Sequence, residues 1–169
     1  MKNSKLFLAF MTLSLFLIFT ACSHNDEEVM VDSIVGNWTF SEATADVIES
    51  NKPEYNNLIG AFVAERGRKD NNNSFLVFTE DGKVTSGYSN EIGTSIASYT
   101  FKNDILTIID EEFTANIPAS IDGNKLYLYV DYADEFNNLE LDELLKLGIR
   151  DISLSTKAEK AIVKLTFIK

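Results

Sequence analysis

One cysteine and one histidine are all that 169 residues supply, and those two scarcities remove several familiar chemistries. Cys22 alone cannot form an internal disulfide, and Cys22 with His24 cannot complete a zinc cage. Both lie close to the N-terminus in a polar stretch, so nucleophile–histidine–acid arrangements are excluded from the folded part of the chain. Positive charge is scarce as well, with 15 Lys and Arg against 26 Asp and Glu for a net charge of −11. Phosphate binding needs clustered cations that release counterions, so nucleic acid is a poor partner and anionic head groups are little better. No glycine-rich loop able to cradle a phosphate is present. Internal repeats and low-complexity stretches are missing too.

What is present is enough apolar material for one core: 45% hydrophobic and 11% aromatic residues, in a chain of single-domain length. The first 21 residues stand apart. Lys2 and Lys5 precede an apolar run from Leu6 to Ala21, the layout of a secretory signal peptide, and the run is shorter than a membrane span of about 20 residues. Phe19-Thr20-Ala21-Cys22 resembles a bacterial lipobox. That resemblance implies cleavage before Cys22, lipidation of Cys22 with diacylglycerol and fatty acids such as palmitate, and attachment to the membrane through the lipid. Residues 22–33 form the lipidated cysteine and an acidic tether, too polar between Ser23 and Glu28 to fold. Ser23 in place of an inner-membrane-retaining Asp favours the outer membrane. Asp26-Glu27-Glu28 is similar to the export tethers of surface lipoproteins, so both periplasmic and surface-exposed placements in the cell envelope stay open.

From Ile34 to Lys169 the pattern is that of a mainly β domain. Ile34, Gly36, Trp38 and Phe40 alternate on one face of a first strand. Between Ala45 and Arg66 the period changes to that of a helix-turn-helix, with Tyr55, Leu58, Ile59, Phe62 and Val63 on its apolar side, Pro53 at a helix start and Gly67 as the stop. Short strands follow at 75–79, 83–88, 94–101, 105–110, 112–119 and 125–132. Gly, Asn and Asp at Asp81-Gly82, Asn103-Asp104 and Gly123-Asn124 tolerate the turns that make antiparallel hairpins. Leu139–Leu147 reads as a helix capped by Asn137 or Asn138 and ended by Gly148. Ile152–Leu154, a turn at Thr156–Glu159 and a last strand close the chain. In that strand Ala161, Val163, Leu165 and Phe167 face one way, and Lys160, Lys164 and Thr166 the other. These are nine candidate strands, some of them open to merging or splitting, and about eight curl naturally into a small up-and-down barrel. The stretches Phe75–Phe78, Ile105–Ile109 and Leu126–Val130 are apolar on both faces, which predicts that the helical segments cover their outer side.

Gly36-Asn37-Trp38 on the first strand, followed by this meander, resembles the lipocalin (calycin) barrels, and the helical segment after strand 1 looks like the lid of fatty-acid-binding proteins. The resemblance implies a basic residue stacked over the Trp38 ring, for which Lys160 and Lys164 are the candidates on the last strand. It also implies an interior that could hold a small apolar or amphipathic ligand, with Trp38, Phe40, Tyr55, Phe62, Tyr99 and Phe101 as candidate ligand-binding residues beside the ordinary reading of packed core. Acidic clusters at Asp110–Glu112 and at Asp131, Asp134 and Glu135 lack the ligand spacing of a calcium loop and fall at hairpin ends. No metal, cofactor or catalytic residue is expected. A docking surface for another envelope protein is the second functional class, and a carboxylate hydrolase the third.

Overall fold

Left-handed backbone marks the hairpin tips where the sequence put them: Gly82 (φ +77°), Asn103 (+53°), Asp104 (+59°) and Gly123 (+58°). In this computed structural model, which describes residues 33–89, 94–150 and 155–169, these tips connect a continuous meander. Its strands are β1 (Gly36–Ser50), β2 (Ser74–Phe78), β3 (Lys83–Tyr88), β4 (Thr94–Lys102), β5 (Ile105–Ile109), β6 (Thr114–Asp122), β7 (Lys125–Asp131) and β8 (Ala158–Ile168). Every neighbouring pair is antiparallel, and β8 pairs with both β7 and β1, so the eight strands close into a barrel in sequence order. The mainly β, up-and-down architecture expected from the turn spacing is therefore the observed one. The signal segment, Cys22, the tether and the strand expected at Ile152–Leu154 lie outside the described residues.

Register fixes which side chains point inward. Trp38 pairs with Leu76, Leu76 with Ser86 and Ser86 with Ser95, one row across four strands. Leu106 opposite Ile117, and Ala119–Leu128–Leu165, continue the inner surface on the other side. Buried Trp38, Phe78, Leu106, Leu126 and Phe167 fill the end of the barrel that carries the tight hairpins. A second part of the core, with Ile59, Val63, Phe136, Ala161 and Val163, lies under the helices at the opposite end. Asp32–Lys169 forms one compact unit, and its closed sheet and own core meet the conditions for folding by itself.

Three local expectations are corrected. The helix-turn-helix expected over Ala45–Arg66 is a strand and then one helix: β1 runs on to Ser50, a 3-10 turn occupies Pro53–Tyr55, and α1 spans Asn56–Asn71. Bulges between Phe40 and Glu42, Ala45 and Val47, and Glu49 and Ser50 interrupt the two-residue alternation of β1, which is why the end of this strand imitates a helix. Gly67 does not stop α1; it is buried inside it, and a Cβ there would stand 3.0 Å from Val163 Cγ1 and 3.3 Å from Leu165 Cδ2. Finally, Leu139–Leu147 is not one helix capped by Asn137 or Asn138. A short α2 (Ala133–Asn137) precedes α3 (Leu141–Lys146), whose N-cap is Glu140 in a reciprocal capping box with Glu143.

The helices also cover a different surface from the one expected. α1 packs on β1 and β8, with Gly60 against Ala45 and Ile48 and Gly67 against Ala43, Val163 and Leu165. These partners belong to the inward-facing rows, so α1 lies across the wide end of the barrel and leaves its flank uncovered. The outer faces of β4 and β5 consequently show Ile96, Ile105 and Ile109 to solvent. Thr166 keeps the face expected of it, opposite Leu165 and Phe167, but is buried there in register between Glu42 and Tyr127.

Candidate functional site

The narrow end of the barrel is shut by Trp38. Its ring is completely buried, and Nε1 donates to the Ile34 carbonyl at 2.7 Å. Lys169 Nζ stands 5.0 Å from the ring centroid, a cation–π contact, and also reaches the Ser33 carbonyl at 3.4 Å. A stacked cation over the tryptophan was expected, but from Lys160 or Lys164. Lys164 instead lies on the outer face over Tyr127, 5.5 Å from its centroid. Gly36 explains the first position of the Gly-x-Trp motif: its φ is +140°, and the stem of Lys169 occupies the space a Cβ would need.

The wide end is not packed solid. Between the C-terminus of α1 and the strands lies a cavity of about 670 Å³, within the range of small-molecule sites. One wall is aliphatic and aromatic: Ile108, Ile117, Leu128, Val130, Leu165 and Phe167. The facing wall, on β2, β3 and β4, carries the hydroxyls of Ser74, Ser86 and Ser95 beside Gly87, Phe75 and Leu76. Asn71, Tyr88 and Tyr132 form the rim where α1 ends. Tyr88 donates to the Asp70 carbonyl at 2.8 Å and Asn71 Nδ2 to the Gly67 carbonyl at 2.8 Å, which tie that rim to the helix. Among the described residues that line the cavity none is charged. Burial, reinforced by the negative charge of Asp70, raises the Tyr132 hydroxyl above its ordinary value of 10.0, so this group stays neutral and able to donate.

None of the six candidate ligand-binding residues lines this cavity. Trp38 forms the floor of the closed end. Phe40 packs edge-on against Phe167 with centroids 5.7 Å apart, so Phe167 stands between it and the space. Tyr99 meets Phe78 at 4.9 Å and donates to the Thr79 carbonyl at 3.0 Å, which places it at the narrow end. Phe101 packs on the core opposite Leu106, Phe62 meets Phe136 at 6.1 Å beneath α1, and Tyr55 sits in the 3-10 turn. The barrel thus uses its aromatics chiefly to pack and its smaller residues to leave room. A sequence signal for that room existed: serine alternates with an apolar residue on the inward faces of three successive strands, at Ser74/Leu76, Val84/Ser86 and Ser95/Ala97.

No family model matches the chain. No curated protein matches it either. A crystal structure of a DUF4847 family protein from Bacteroides vulgatus ATCC 8482 is similar to it, with 14% identity over 79% of this chain and 91% of that one, at a TM-score of 0.38. That overlap is too loose to bear on the site, which rests on its own geometry. Among the described residues no group of three or more His, Cys, Asp or Glu is placed to hold a metal ion, and no helix is long and apolar enough to cross a membrane.

Proposed function

We propose that this chain is a lipid-anchored binding protein of the cell envelope, held at the outer membrane through Cys22, which captures a small apolar or amphipathic molecule in the wide end of its barrel. The observation that carries the reading is the cavity of about 670 Å³ with an apolar wall and no charge among its described lining residues. Space of that size is of the order occupied by small-molecule ligands, and burying an apolar ligand there releases about 25 cal/mol per Å² of surface removed from water. The described lining supplies hydroxyls and one amide, groups suited to holding a neutral ligand. The N-terminal lipid provides the membrane contact, so the net charge of −11 is no obstacle to anchoring.

The test is native mass spectrometry of unlipidated Ser23–Lys169 purified from its own host. A co-purifying mass in the lipid range supports capture; a clean apo spectrum together with no response to an apolar fluorophore counts against it. A second reading, a subunit that docks on another envelope protein, is favoured by exposed Ile96, Ile109 and Phe113, which are 65%, 44% and 54% exposed. Ile96 and Ile109 lie on adjacent strands β4 and β5, and Phe113 follows in the β5–β6 connection. Chemical crosslinking in whole cells separates the two, since docking predicts a specific adduct through this flank and capture does not.

A further inference from the structure

The cavity is polar on one side, and that asymmetry has chemical content. Leu76, Ser86 and Ser95 are direct neighbours in register, and Ser74 faces Tyr88 one step further up the same wall. Ser74 Oγ is shut from solvent without a hydrogen-bond partner, while Ser86 is half-buried and Ser95 is exposed at the open side of the same wall. A buried hydroxyl left unpaired is unfavourable, whereas one that meets a ligand donor or acceptor is not. Opposite this wall stand only apolar side chains, Ile108, Ile117, Leu128 and Leu165 among them.

We propose that the cavity selects an uncharged amphiphile, whose hydroxyl or ester group meets the serines of β2–β4 and whose hydrocarbon lies on β5–β8, over an ionised fatty acid of the same chain length. This rests on the capture reading above and names the class of ligand. An ionised carboxylate entering the cavity gives up its water, and the described lining residues include no Lys, Arg or His to replace it. The net charge of −11 opposes an anion further. Serine hydroxyls can donate to a carbonyl or accept from an alcohol, so a neutral head group exchanges water for protein without stranding a charge.

The experiment uses delipidated Ser23–Lys169, loaded with the uncharged fluorophore N-phenylnaphthylamine, at a mildly alkaline pH where dodecanoate is fully ionised. Dodecanoylglycerol should displace the fluorophore at a concentration about tenfold or more below that needed for dodecanoate, roughly one large step in binding free energy. Replacing both cavity-facing serines, Ser86→Ala with Ser95→Ala, should weaken the glycerol ester by about three- to tenfold, the range of one neutral hydrogen bond. Fluorophore affinity should hold in the same variant. An independent check needs no variant: as pH falls and the carboxyl protonates, dodecanoate should approach the ester in affinity while the ester stays level. Dodecanoate binding as tightly as the ester at alkaline pH, or an ester affinity indifferent to both serines, overturns the selectivity and leaves capture standing. Failure of the fluorophore and of both lipids to bind overturns capture itself.

Discussion

Gly67→Ala sets two well-calibrated effects against each other at one atom. Alanine in place of a helical glycine favours folding by about 0.8–1.0 kcal/mol through propensity. The new Cβ, however, would sit 3.0 Å from Val163 Cγ1, 3.3 Å from Leu165 Cδ2 and 3.4 Å from Ala43 Cβ, inside the usual carbon–carbon separation of about 3.5–4.0 Å. All three neighbours are buried, with Val163 fully enclosed. Overpacking of this kind costs about 1–3 kcal/mol, so the variant should be less stable by about 0–2 kcal/mol after the propensity gain. Gly60→Ala is the internal control in the same helix. Its Cβ would meet Ala45 Cβ at 3.3 Å and Ile48 Cγ1 at 3.4 Å, but Ile48 is only partly buried and can shift. That variant should lie between neutral and about 1 kcal/mol more stable. Urea unfolding of Ser23–Lys169 followed by far-ultraviolet circular dichroism gives both values, provided the slope with denaturant is unchanged. Should Gly67→Ala prove as stable as Gly60→Ala, the close seating of α1 against β1 and β8 would be wrong.

Lys169→Ala should cost about 0.5–2 kcal/mol by removing the cation over Trp38 and should red-shift tryptophan fluorescence as the ring meets water; an unaltered emission maximum would contradict the stacking. Tyr132 stabilises the fold most when neutral. Because its folded pKa is raised, by burial first and Asp70 second, that contribution is complete below the unfolded value of 10.0 and is lost as pH climbs through the higher folded one. Tyr132→Phe should therefore flatten the alkaline limb of a stability–pH curve, and an unchanged limb would show that this hydroxyl is not responsible. Cys22→Ala should abolish incorporation of labelled palmitate and release the protein from membranes; label in the variant would overturn the anchor.

Most of the meander was legible because its punctuation is local. Asn103-Asp104 and Gly123 sit at left-handed positions that few other residues tolerate, so the hairpins could be placed from neighbours in sequence alone. β1 was harder, since three bulges shift its register and the inward row passes from Phe40 to Ala43, Ala45 and Ile48 at uneven spacing. Gly67 misled for the opposite reason: glycine at a helix end and glycine at a close approach look identical until Val163 is known to lie across from it. The cation over Trp38 is Lys169, not Lys160 or Lys164, because it lies just past the last strand, outside the alternation that points to those two. The cavity depends on the difference in volume between opposite walls. Ser86 and Leu128 are 42 positions apart in the chain, and nothing in one window of sequence relates them.

β1 pairs with β2 only from Gly36 to Thr39, yet it continues beside β8 as far as Ser50. Along that stretch its other border carries main-chain groups that no strand of the barrel claims, the kind of rim on which a foreign chain can template itself. Glu42, Asp46 and Glu49 are exposed there. Three like charges spaced along the rim make stacking with a second copy repulsive, so crowded molecules would be kept from zipping into fibrils along this border.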